Sequence, residues 1–475
     1  MNPVPCDAVC ELNARNQEQN KQRLMPLKHL KRTGFFLVTA LLLQGLVTSA
    51  QAKTPKKLLV VTVTKGFRHS SIPTAEKTLQ GLATKTGDFT VDYVRDDKDM
   101  AEKMTMASLA RYDGVIFANT TGELPLPDKA GFLKWLESGK AFVGMHSASD
   151  TFRGHTPLDP YNVMLGGEFL THGAQASVEC LNQDPNHPAC KHFGAAYKVH
   201  DEIYIQNGFK RSMVHGLLTL DKHPNTGMPG DYPIAWVKKV GKGRVFYTAL
   251  GHREDVWESD PYQKHITGGI RWALGLEKGE ATPQSTTVKL SRDEVRAGFR
   301  PLYNGDNLNG WHARNASVPQ SWSSQNGMLV NQLAKAHGTD LITDEKFKNF
   351  TIRYEYMVPK GANSGLYLRG RHELQIMDDY DSKTPKEGGN GGLYSTKAPD
   401  KFVSRKAGEW QQAEATMQGN RLTVVLNGVK IHDNVEVSKA TGGELDKNLN
   451  EPGPLMLQGD HGAVAFRNVR IKLLK

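Results

Sequence analysis

Apolar and polar residues alternate in a regular way through the first half of the chain. A continuous apolar run rich in β-branched residues at 58–63 is typical of a strand buried in a parallel sheet. Ser71 followed by Pro73 then marks the start of a helix. The same pattern predicts further strands at 89–94, 114–117, 141–145, 234–240 and 244–249, and helices at 127–138 and 261–274. Strands that alternate with helices indicate an α/β doubly wound parallel sheet, of the flavodoxin-like kind.

The pattern changes from residue 298 onward, where short alternating segments are separated by Gly, Asn and Asp. They predict strands at 328–331, 350–358, 365–369, 373–377, 414–417, 421–426, 455–458 and 464–473. Asn427-Gly428 between two alternating runs is a strong signal for a hairpin. Many short strands without a long helix indicate an all-β jelly-roll sandwich. We therefore divide the chain into a leader (1–52), a first domain (53–278), a polar linker (279–297) and a second domain (298–475).

Alternation along these strands also assigns side chains to two faces of the predicted sandwich. The residues predicted to point away from the core are Arg353, Glu355, Tyr367, Arg369, Glu373 and Gln375. Carboxylate, amide and guanidinium groups hydrogen-bond sugar hydroxyls, and aromatic rings pack on the faces of pyranose rings. The pattern therefore predicts a sugar-binding face, with a merely hydrated outer face as the alternative.

The N-terminus has the pattern of a secretory leader. Basic residues within 28–32 precede an apolar run at 35–47, and small residues follow up to Ala52. We expect cleavage after Ala52 and a periplasmic or secreted protein without a stable membrane span. An uncleaved anchor is the alternative, although the run is shorter than the roughly 20 residues that cross a bilayer. Met25, just before the basic residues, is a candidate start.

Composition limits the partners that we expect. The chain has 60 Lys and Arg against 50 Asp and Glu, and the net charge of +10 is scattered rather than clustered. We therefore expect no nucleic-acid partner.

Two of the four cysteines leave with the leader, so that Cys180 and Cys190 remain. In an oxidising compartment this pair predicts a disulfide, with a metal site that uses His187 or His192 as the alternative. The sequence does not predict an oligomeric state.

Histidines concentrate in the first domain. Eleven of the seventeen lie there, and the ends of predicted strands are followed by His69, His146, Asp150, His172 and His252. Because ligands of doubly wound sheets bind beyond the C-terminal ends of the strands, these residues predict a functional cleft. Such histidines bind a metal or act as acid and base, and the plainer alternative is that they are hydrogen-bonded loop residues.

Four motifs of the first domain resemble the trehalose-utilisation (ThuA-like) family. They are GFRHSS (66–71), GMHSASD (144–150), GGEF (166–169) with His172, and GRVFYTALGH (243–252). This resemblance implies a fold similar to class I glutamine amidotransferases. Those enzymes place a Cys nucleophile at the turn where this chain has His146, so amidotransferase chemistry is not expected.

The second domain resembles the 3-keto-disaccharide hydrolase family. The motifs are GFRPLYNGDNLNGW (298–311), FTIRYEY (350–356), GANSGLYLRG (361–370), HELQIMD (372–378), GGLYS (391–395) and LQGDHG (457–462). The resemblance implies a concanavalin-like sandwich that acts on glycosides whose C3 hydroxyl is oxidised to a ketone. Members have an Asp directly after the Gln of the last motif, whereas here Gly459 precedes Asp460 and His461.

A C3 ketone acidifies the proton on C2. A base removes this proton, the C1 substituent leaves by β-elimination, and addition of water completes a net hydrolysis, unless the reaction stops at the unsaturated product. Such a site needs a base, an electrophile near the ketone oxygen and an acid for the leaving group. We predict Glu373 or His461 as the base. Arg369, or a divalent metal held by Glu355, Glu373 or Asp378, is the predicted electrophile.

Sugar hydroxyls are expected to be held by Glu355, Tyr367, Gln375, Tyr394 and Gln458. Three functions remain open at this point. The second domain cleaves 3-keto-glycosides, which we favour; or it is a carbohydrate-binding module beside a catalytic first domain. In the third, both domains catalyse successive steps on one keto-sugar, and the tether raises the local concentration of the intermediate.

Overall fold

The computed structural model describes residues 54–332 and 338–475. The predicted leader and its cleavage site at Ala52 lie outside the described residues. Within the described ranges, no helix is both long enough and apolar enough to cross a membrane.

The first domain is built on a nine-stranded sheet. Its strands, and a separate β5–β8 pair, are β1 (Lys56–Val61), β2 (Phe89–Val94), β3 (Gly114–Ala118), β4 (Ala141–Met145), β5 (Glu168–His172), β6 (Ala176–Asn182), β7 (Ala196–Asp201), β8 (Tyr204–Asn207), β9 (His215–Lys222), β10 (Pro229–Val240) and β11 (Gly243–Thr248). The helices are α1 (Ile72–Thr86), α2 (Asp97–Lys103), α3 (Met106–Leu109), α4 (Lys129–Glu137), α5 (Pro160–Leu165), α6 (Glu254–Glu258) and α7 (Asp260–Ala273). The strand order is β2-β1-β3-β4-β11-β10-β9-β6-β7.

Five neighbouring strands of this sheet, β2, β1, β3, β4 and β11, run parallel. Every residue of β3 and β4 is buried, and apolar clusters cover both faces of the sheet. Burial on both faces explains why these strands are continuous apolar runs in the sequence. The predicted α/β class is confirmed. The remaining strands, β10, β9, β6 and β7, are antiparallel to their neighbours, and β6, β7 and β9 were not predicted.

The segment predicted as a polar linker ends in a short helix, α8 (Arg292–Ala297), and the second domain follows it as two packed sheets. Its strands are β12 (Arg300–Pro301), β13 (Trp311–Ala313), β14 (Trp322–Gln325), β15 (Met328–Asn331), β16 (Leu341–Phe347), β17 (Phe350–Met357), β18 (Asn363–Leu368), β19 (His372–Met377), β20 (Gln411–Gln418), β21 (Arg421–Leu426), β22 (Val429–Glu436), β23 (Gly453–Leu457) and β24 (Val464–Leu473). The large sheet has the order β14-β15-β24-β17-β20-β21-β22, with β12 beside β24. The small sheet has the order β13-β16-β23-β18-β19.

The core of the second domain lies between the large and small sheets. Ile352, Tyr354 and Tyr356 of the large sheet belong to the same buried cluster as Leu366 and Leu374 of the small sheet. The inward face predicted by alternation is therefore correct, and the all-β sandwich is confirmed. At the predicted hairpin, Asn427 and Gly428 have φ angles of 52° and 81°, as a type I′ turn between β21 and β22 requires.

One hairpin of the first domain contacts the second domain. We call β9, β10 and their turn (215–240) the docking hairpin. Trp410 donates its indole N–H to an Asp221 carboxylate oxygen at 2.7 Å, and Lys222 donates to the Gly408 carbonyl at 2.6 Å. Gln325 accepts from the Asp231 N–H at 3.0 Å. The Arg467 guanidinium stacks 3.9 Å above the Trp410 ring.

The predicted disulfide is wrong. In the described part of the chain, Cys180 and Cys190 are both free thiols and both are buried. Cys180 lies within β6 opposite Tyr197 of β7, while the Cys190 Sγ contacts the Leu217 carbonyl oxygen at 3.9 Å. Each sulfur thus fills its own place in the apolar core, and burial raises the pKa of both thiols. The alternative metal site with His187 or His192 is also absent among the described residues.

Candidate functional sites

The first site is a cavity at the C-terminal ends of the parallel strands. Directly after β4 a short 3-10 turn spans His146–Asp150, and His146 begins it with φ at 48°. A non-glycine residue in this left-handed region is strained, and such strain is concentrated at functional sites. His146 is completely buried, and its Nδ1 lies 2.8 Å from the Ala249 carbonyl oxygen at the end of β11. That carbonyl accepts the Nδ1 proton, so the Nε2 lone pair is free and faces His69 and Glu202, which line the cavity.

Three side chains lie close to the His146 Nε2, and a further histidine, His172, contacts one of them. The His69 Nε2 lies 3.1 Å from the His146 Nε2, and the Glu202 Oε1 lies 3.8 Å from it. The His252 Nδ1 lies 3.3 Å from the same Glu202 oxygen, whose partner oxygen lies 3.1 Å from the His172 Nδ1. One ligand atom each from His69, His146, Glu202 and His252 lies within 4.8 Å of the others. We call these four residues the histidine cluster.

Electrostatics prepare the cluster for a cation. Burial lowers the pKa of His69 to about 4 and lowers that of His146 well below its usual range, so both imidazoles keep a free lone pair at neutral pH. The hydrogen bond to Glu202 raises the pKa of His252. Three imidazoles and one carboxylate are a donor set that Zn²⁺ and similar ions prefer. The residues therefore fit a divalent transition metal, with the second ring nitrogen of His146 anchored to the backbone.

The rest of the cavity is lined by aromatic and charged side chains. It has a volume of about 600 Å³. Beyond the histidine cluster its lining includes Phe67, Phe169, Tyr204, Asp150 and Arg153. Burial raises the pKa of Asp150, which forms an ion pair with Arg153. The five predicted cleft residues do come together, with His172 at the rim.

Sequence reasoning missed the Glu202 carboxylate. It follows β7, an antiparallel strand that was not predicted, and lies at the centre of four histidines. The adjacent Asp201 accepts hydrogen bonds from the Gly251 and Arg253 N–H groups, and it thereby fixes the loop that carries His252. The dipeptide Asp201-Glu202 at a strand end was the available signal.

The second site is the outer face of the small sheet. Strand register places Glu373 beside Tyr367 and Tyr367 beside Met456. One step along, Gln375 pairs with Gly365, whose carbonyl accepts from the Gln458 N–H at 2.9 Å. Tyr367, Glu373 and Gln375 thus share one face, as alternation predicted, and Gly365 leaves a gap between them.

Glu373 fills that gap. A Cβ added to Gly365 would lie 2.3 Å from the Glu373 Oε1, so the carboxylate rests directly on the glycine. Tyr367 donates its hydroxyl to the Glu373 Oε2 at 2.9 Å, and the Gln375 amide lies 3.1 Å from the Oε1. The residue is only 3% exposed, and burial raises its pKa to about 7, although the tyrosine hydrogen bond and His461 oppose the shift.

Two further charged pairs face Glu373. Asp340 binds the Arg314 guanidinium at 3.1 Å and accepts from the Gly459 N–H at 3.0 Å. His461 is hydrogen-bonded to Asp460, and both side chains are about half exposed. The charges of Asp340 and Asp460 both raise the Glu373 pKa. Sequence reasoning missed Asp340 and Arg314, because each lies at the edge of a strand that was not predicted.

Arg369 does not face this site, and its predicted role as electrophile is wrong. It lies one residue beyond the end of β18 with φ at 54°, so the alternation of side chains no longer holds there. Its guanidinium donates to the backbone carbonyls of Lys348, Leu449 and Gly419. Every one of these bonds holds loops together, and the side chain is 1% exposed.

The predicted metal set of Glu355, Glu373 and Asp378 is also wrong, because the structure does not bring it together. Glu355 lies on the large sheet, where Arg467 donates to it at 2.7 Å and Asn468 at 3.0 Å. Asp378 accepts from the Gly361 N–H at 2.9 Å. Period-two alternation assigns a face of a strand, but it does not say which of two sheets holds the strand.

The remaining predicted residues lie near Glu373 with differing contacts. The backbone N–H of Tyr394 donates to the Glu373 carbonyl at 3.1 Å, and the Tyr394 side chain is 37% exposed. The Oε1 of Gln458 is buried without a hydrogen-bond partner among the described residues. Gly459, the residue that departs from the family motif, is bound to Asp340 and thereby fixes the approach to Asp460.

Comparison with known proteins places both domains in context. Residues 57–273 match the family model described as trehalose utilisation (ThuA). Residues 298–472 match the model described as a 3-keto-alpha-glucoside-1,2-lyase-like domain. Both resemblances that the sequence indicated are confirmed. The first domain is thus ThuA-like and the second is lyase-like, in that order along the chain.

Three relatives each cover about two fifths to one half of this chain. A 3-keto-disaccharide hydrolase from Bacteroides thetaiotaomicron is 24% identical over 259 residues, covering 42% of this chain and 87% of the relative. A glycosyl hydrolase candidate from Parabacteroides distasonis has 22% identity and a TM-score of 0.33, covering 40% of this chain and 99% of its own. A ThuA-like protein from Parabacteroides merdae has 19% identity and a TM-score of 0.40, covering 49% and 94%.

Proposed function

We propose that this protein is a glycoside-acting enzyme whose lyase-like domain cleaves 3-keto-glycosides at the outer face of the small sheet. The observation that carries the proposal is the Glu373 carboxyl, which is 3% exposed and has a pKa of about 7. A base with a pKa near the operating pH combines a useful ionised fraction with a strong tendency to take a proton. The similarity to a 3-keto-disaccharide hydrolase supports the choice of substrate.

In this proposal Glu373 takes the proton from C2 of the substrate. Tyr367 donates a hydrogen bond to the Glu373 carboxylate and thus fixes the orientation of its two oxygens. Arg314, which contacts Asp340 and Met456 near Tyr367, stabilises the charge that develops on the C3 oxygen, because the Arg369 donors are used by the backbone. The exposed His461, held by Asp460, is the group available to protonate the leaving oxygen. Gln375 and Gln458 offer amides to hydroxyls.

The test uses the full chain and a 3-keto-glucoside with a 4-nitrophenyl leaving group, beside the unoxidised glucoside. We expect release from the keto substrate alone, and loss of that release in Glu373→Gln. The matched control is Glu414→Gln, which removes a carboxylate from the large sheet where it binds Arg353. Full activity of the Glu373 variant would overturn the assignment. Equal cleavage of the unoxidised glucoside would indicate ordinary glycosidase chemistry instead.

We further propose that the histidine cluster of the ThuA-like domain holds one divalent metal ion. The convergence of four ligand atoms within 4.8 Å supports it. Metal analysis of the full chain after dialysis against excess zinc should find one ion per chain, and Glu202→Gln or His252→Ala should lose it. His200→Gln, an exposed histidine of β7, is the control. An unchanged zinc content in the cluster variants would contradict the proposal.

Export remains a proposal as well. The basic, apolar and small residues of positions 28–52 support it. Cells that express the full chain should contain a mature protein starting at Lys53 in an exported fraction. Removal of residues 35–47 should leave the protein in the cytoplasm. An N-terminus that retains this segment after export would favour an anchor.

A further inference from the structure

The cavity of the ThuA-like domain contains groups that metal binding does not require. Asp150 is the last residue of the 3-10 turn that His146 begins. Its side chain lines the cavity of about 600 Å³ together with His69, Glu202 and His252 of the histidine cluster. The Asp150 side chain is 16% exposed and forms an ion pair with Arg153, which in turn lies 4.9 Å from the Phe169 ring. The carboxylate is therefore fixed in the cavity wall.

The mouth of the cavity carries an exposed aromatic ring. Phe67 is 67% exposed, yet its ring contacts His69 edge-on with 4.9 Å between the centroids. On the inner side the Tyr204 ring lies between His146 at 4.4 Å and Phe169 at 4.2 Å. A ring that is both exposed and oriented is suited to pack on an apolar ligand face, such as the C–H face of a pyranose.

We propose that this cavity is a second active site, in which Asp150 exchanges a proton with the carbon beside the carbonyl of a free keto-sugar. The inference goes beyond the cleavage proposed for the lyase-like domain, and it rests on the metal ion proposed for the histidine cluster. A cation there would supply a Lewis acid for carbonyl groups. Phe67 packs against the sugar ring, and Arg153 holds the Asp150 carboxylate in position.

The step is balanced without an oxidant or reductant. Asp150 takes the proton, the C–H electron pair forms a C=C bond, and the carbonyl π pair moves to oxygen. Return of a proton from Asp150 to the same carbon restores the ketone, and exchange of the Asp150 proton with solvent in between replaces the proton on carbon. Return to the former carbonyl carbon instead gives a shifted ketone, because the hydroxyl proton of the neighbouring carbon moves to the enolate oxygen as that carbon becomes the new carbonyl.

The chemistry also fixes an order of reactions. Cleavage of a 3-keto-glycoside releases a keto-monosaccharide, which is the ligand that this cavity suits. The ThuA-like domain would therefore act after the lyase-like domain, on the product released by the same chain.

The test separates the two sites by working in a Glu373→Gln background, where the base of the lyase-like domain is absent. Free 3-keto-glucose is incubated with the zinc-loaded full chain in D2O, and loss of the ring protons beside the ketone is followed by NMR against a protein-free sample. We expect exchange in Glu373→Gln and at least a tenfold slower rate after adding Asp150→Asn. The matched control adds Asp113→Asn, an aspartate that pairs with Lys56 elsewhere in the domain.

Absence of exchange in the Glu373→Gln chain would overturn the inference, as would an unchanged rate with Asp150→Asn. If the Asp150 variant loses zinc or unfolds, Arg153→Gln replaces it, with severalfold slower exchange expected and an unchanged rate contradicting the role. Calorimetry gives an independent readout: Phe67→Ala should weaken 3-keto-glucose binding severalfold, whereas Met213→Ala, exposed outside the cavity, should not. Undiminished exchange in a chain stripped of zinc would overturn the part of the inference that makes the metal ion the Lewis acid, whereas zinc binding itself is tested by the metal analysis.

Discussion

The two domains each bury a glutamate near a set of ionisable groups, but the neighbours differ. Glu202 of the ThuA-like domain lies among His146, His172 and His252, at distances between 3.1 and 3.8 Å. Glu373 of the lyase-like domain lies beside a tyrosine hydroxyl and within the field of two more carboxylates. The same side chain is surrounded by histidine nitrogens in one site and by negative charge in the other.

This difference decides what each glutamate does. Burial lowers the pKa of His69 and His146, so these two imidazoles do not neutralise Glu202 by taking up protons at neutral pH. His252, whose pKa Glu202 raises, is the imidazole that a bound cation would have to deprotonate. Among the described residues, Glu373 contacts the Tyr367 hydroxyl and the Gln375 amide, and its raised pKa suits the proposed role of proton acceptor. We therefore propose metal binding for Glu202 and proton transfer from carbon for Glu373, although both residues are glutamates.

The strongest test of the comparison is to replace each glutamate separately and to measure both keto-glucoside cleavage and zinc content in each variant. Glu373→Gln should lower release from the keto-glucoside at least a hundredfold, the range that removal of a general base produces, while zinc content stays at one ion per chain. Glu202→Gln should abolish zinc binding and keep most of the release. Both quantities are measured on the same preparations. If Glu202→Gln removes release as well, then the two sites are not independent.

Glu373 should make the free energy of unfolding fall as the pH rises, whereas a carboxylate whose pKa is lowered by folding makes it rise. The Glu373 pKa is raised from 4.5 to about 7, so the folded chain binds more protons than the unfolded chain between these values. Stability contributed by the protonated group is present below pH 4.5 and is lost as the pH rises through 7. Glu373→Gln should therefore gain, relative to wild type, on the order of 3 kcal/mol between pH 4 and 8. Urea unfolding at both pH values measures it, and no pH-dependent difference would contradict the buried environment.

Position 365 tests how closely the carboxylate is held. Gly365→Ala places a methyl group where the Glu373 Oε1 lies, at 2.3 Å, and the flexible side chain moves away. We expect release to fall about tenfold, as misplacement of a catalytic group by a fraction of an ångström does, with little loss of thermal stability. The control is Gly388→Ala, where the added methyl group would meet only the Tyr394 ring at 3.8 Å. Equal activity of the two variants would argue against a role for this placement.

Much of this arrangement could be predicted from the sequence, and the failures have physical causes. Continuous apolar runs predicted β1, β3 and β4, because burial on both faces leaves no other pattern. The turn at Asn427 and Gly428 was predicted because few residues accept positive φ. Histidines after parallel strands were predicted to meet, since those strands end at one edge of the sheet.

The partners of these residues could not be predicted in the same way. Glu202 and Asp340 reach their sites through antiparallel strands whose pairing is set by contacts far away along the chain. Arg369 was assigned to the polar face because alternation was extended one residue past the end of β18. Glu355 was assigned to the correct outward direction but to the wrong sheet. Local patterns fix faces and turns, whereas the choice of neighbouring strand depends on the whole fold.

Tyr367 provides a finer test of the proton-transfer site. Its hydrogen bond lowers the Glu373 pKa, so Tyr367→Phe should raise this pKa further, by about one unit. The pH profile of release should rise with an apparent pKa near 7 in wild type and near 8 in the variant. Tyr354→Phe, a buried tyrosine of the core, is the control with an unchanged profile. A profile that does not move would mean that the hydroxyl does not act on the ionised carboxylate.

The smallest effect concerns the junction between the domains. Trp410 donates to Asp221 of the docking hairpin at 2.7 Å and stacks under Arg467, whose guanidinium also donates to Glu355 of β17. Trp410→Phe keeps a ring for stacking and removes the N–H, which leaves the Asp221 carboxylate without this donor. The expected cost is about 1 kcal/mol, typical of one hydrogen bond. Asp221→Asn should cost less, since the amide oxygen still accepts the hydrogen bond.

Calorimetric unfolding of the full chain measures the stability of both variants. A double variant that is no less stable than Trp410→Phe alone would show that the loss comes from this hydrogen bond. Additive losses would show that the two residues act separately, so that the docking hairpin is held by its backbone contacts instead.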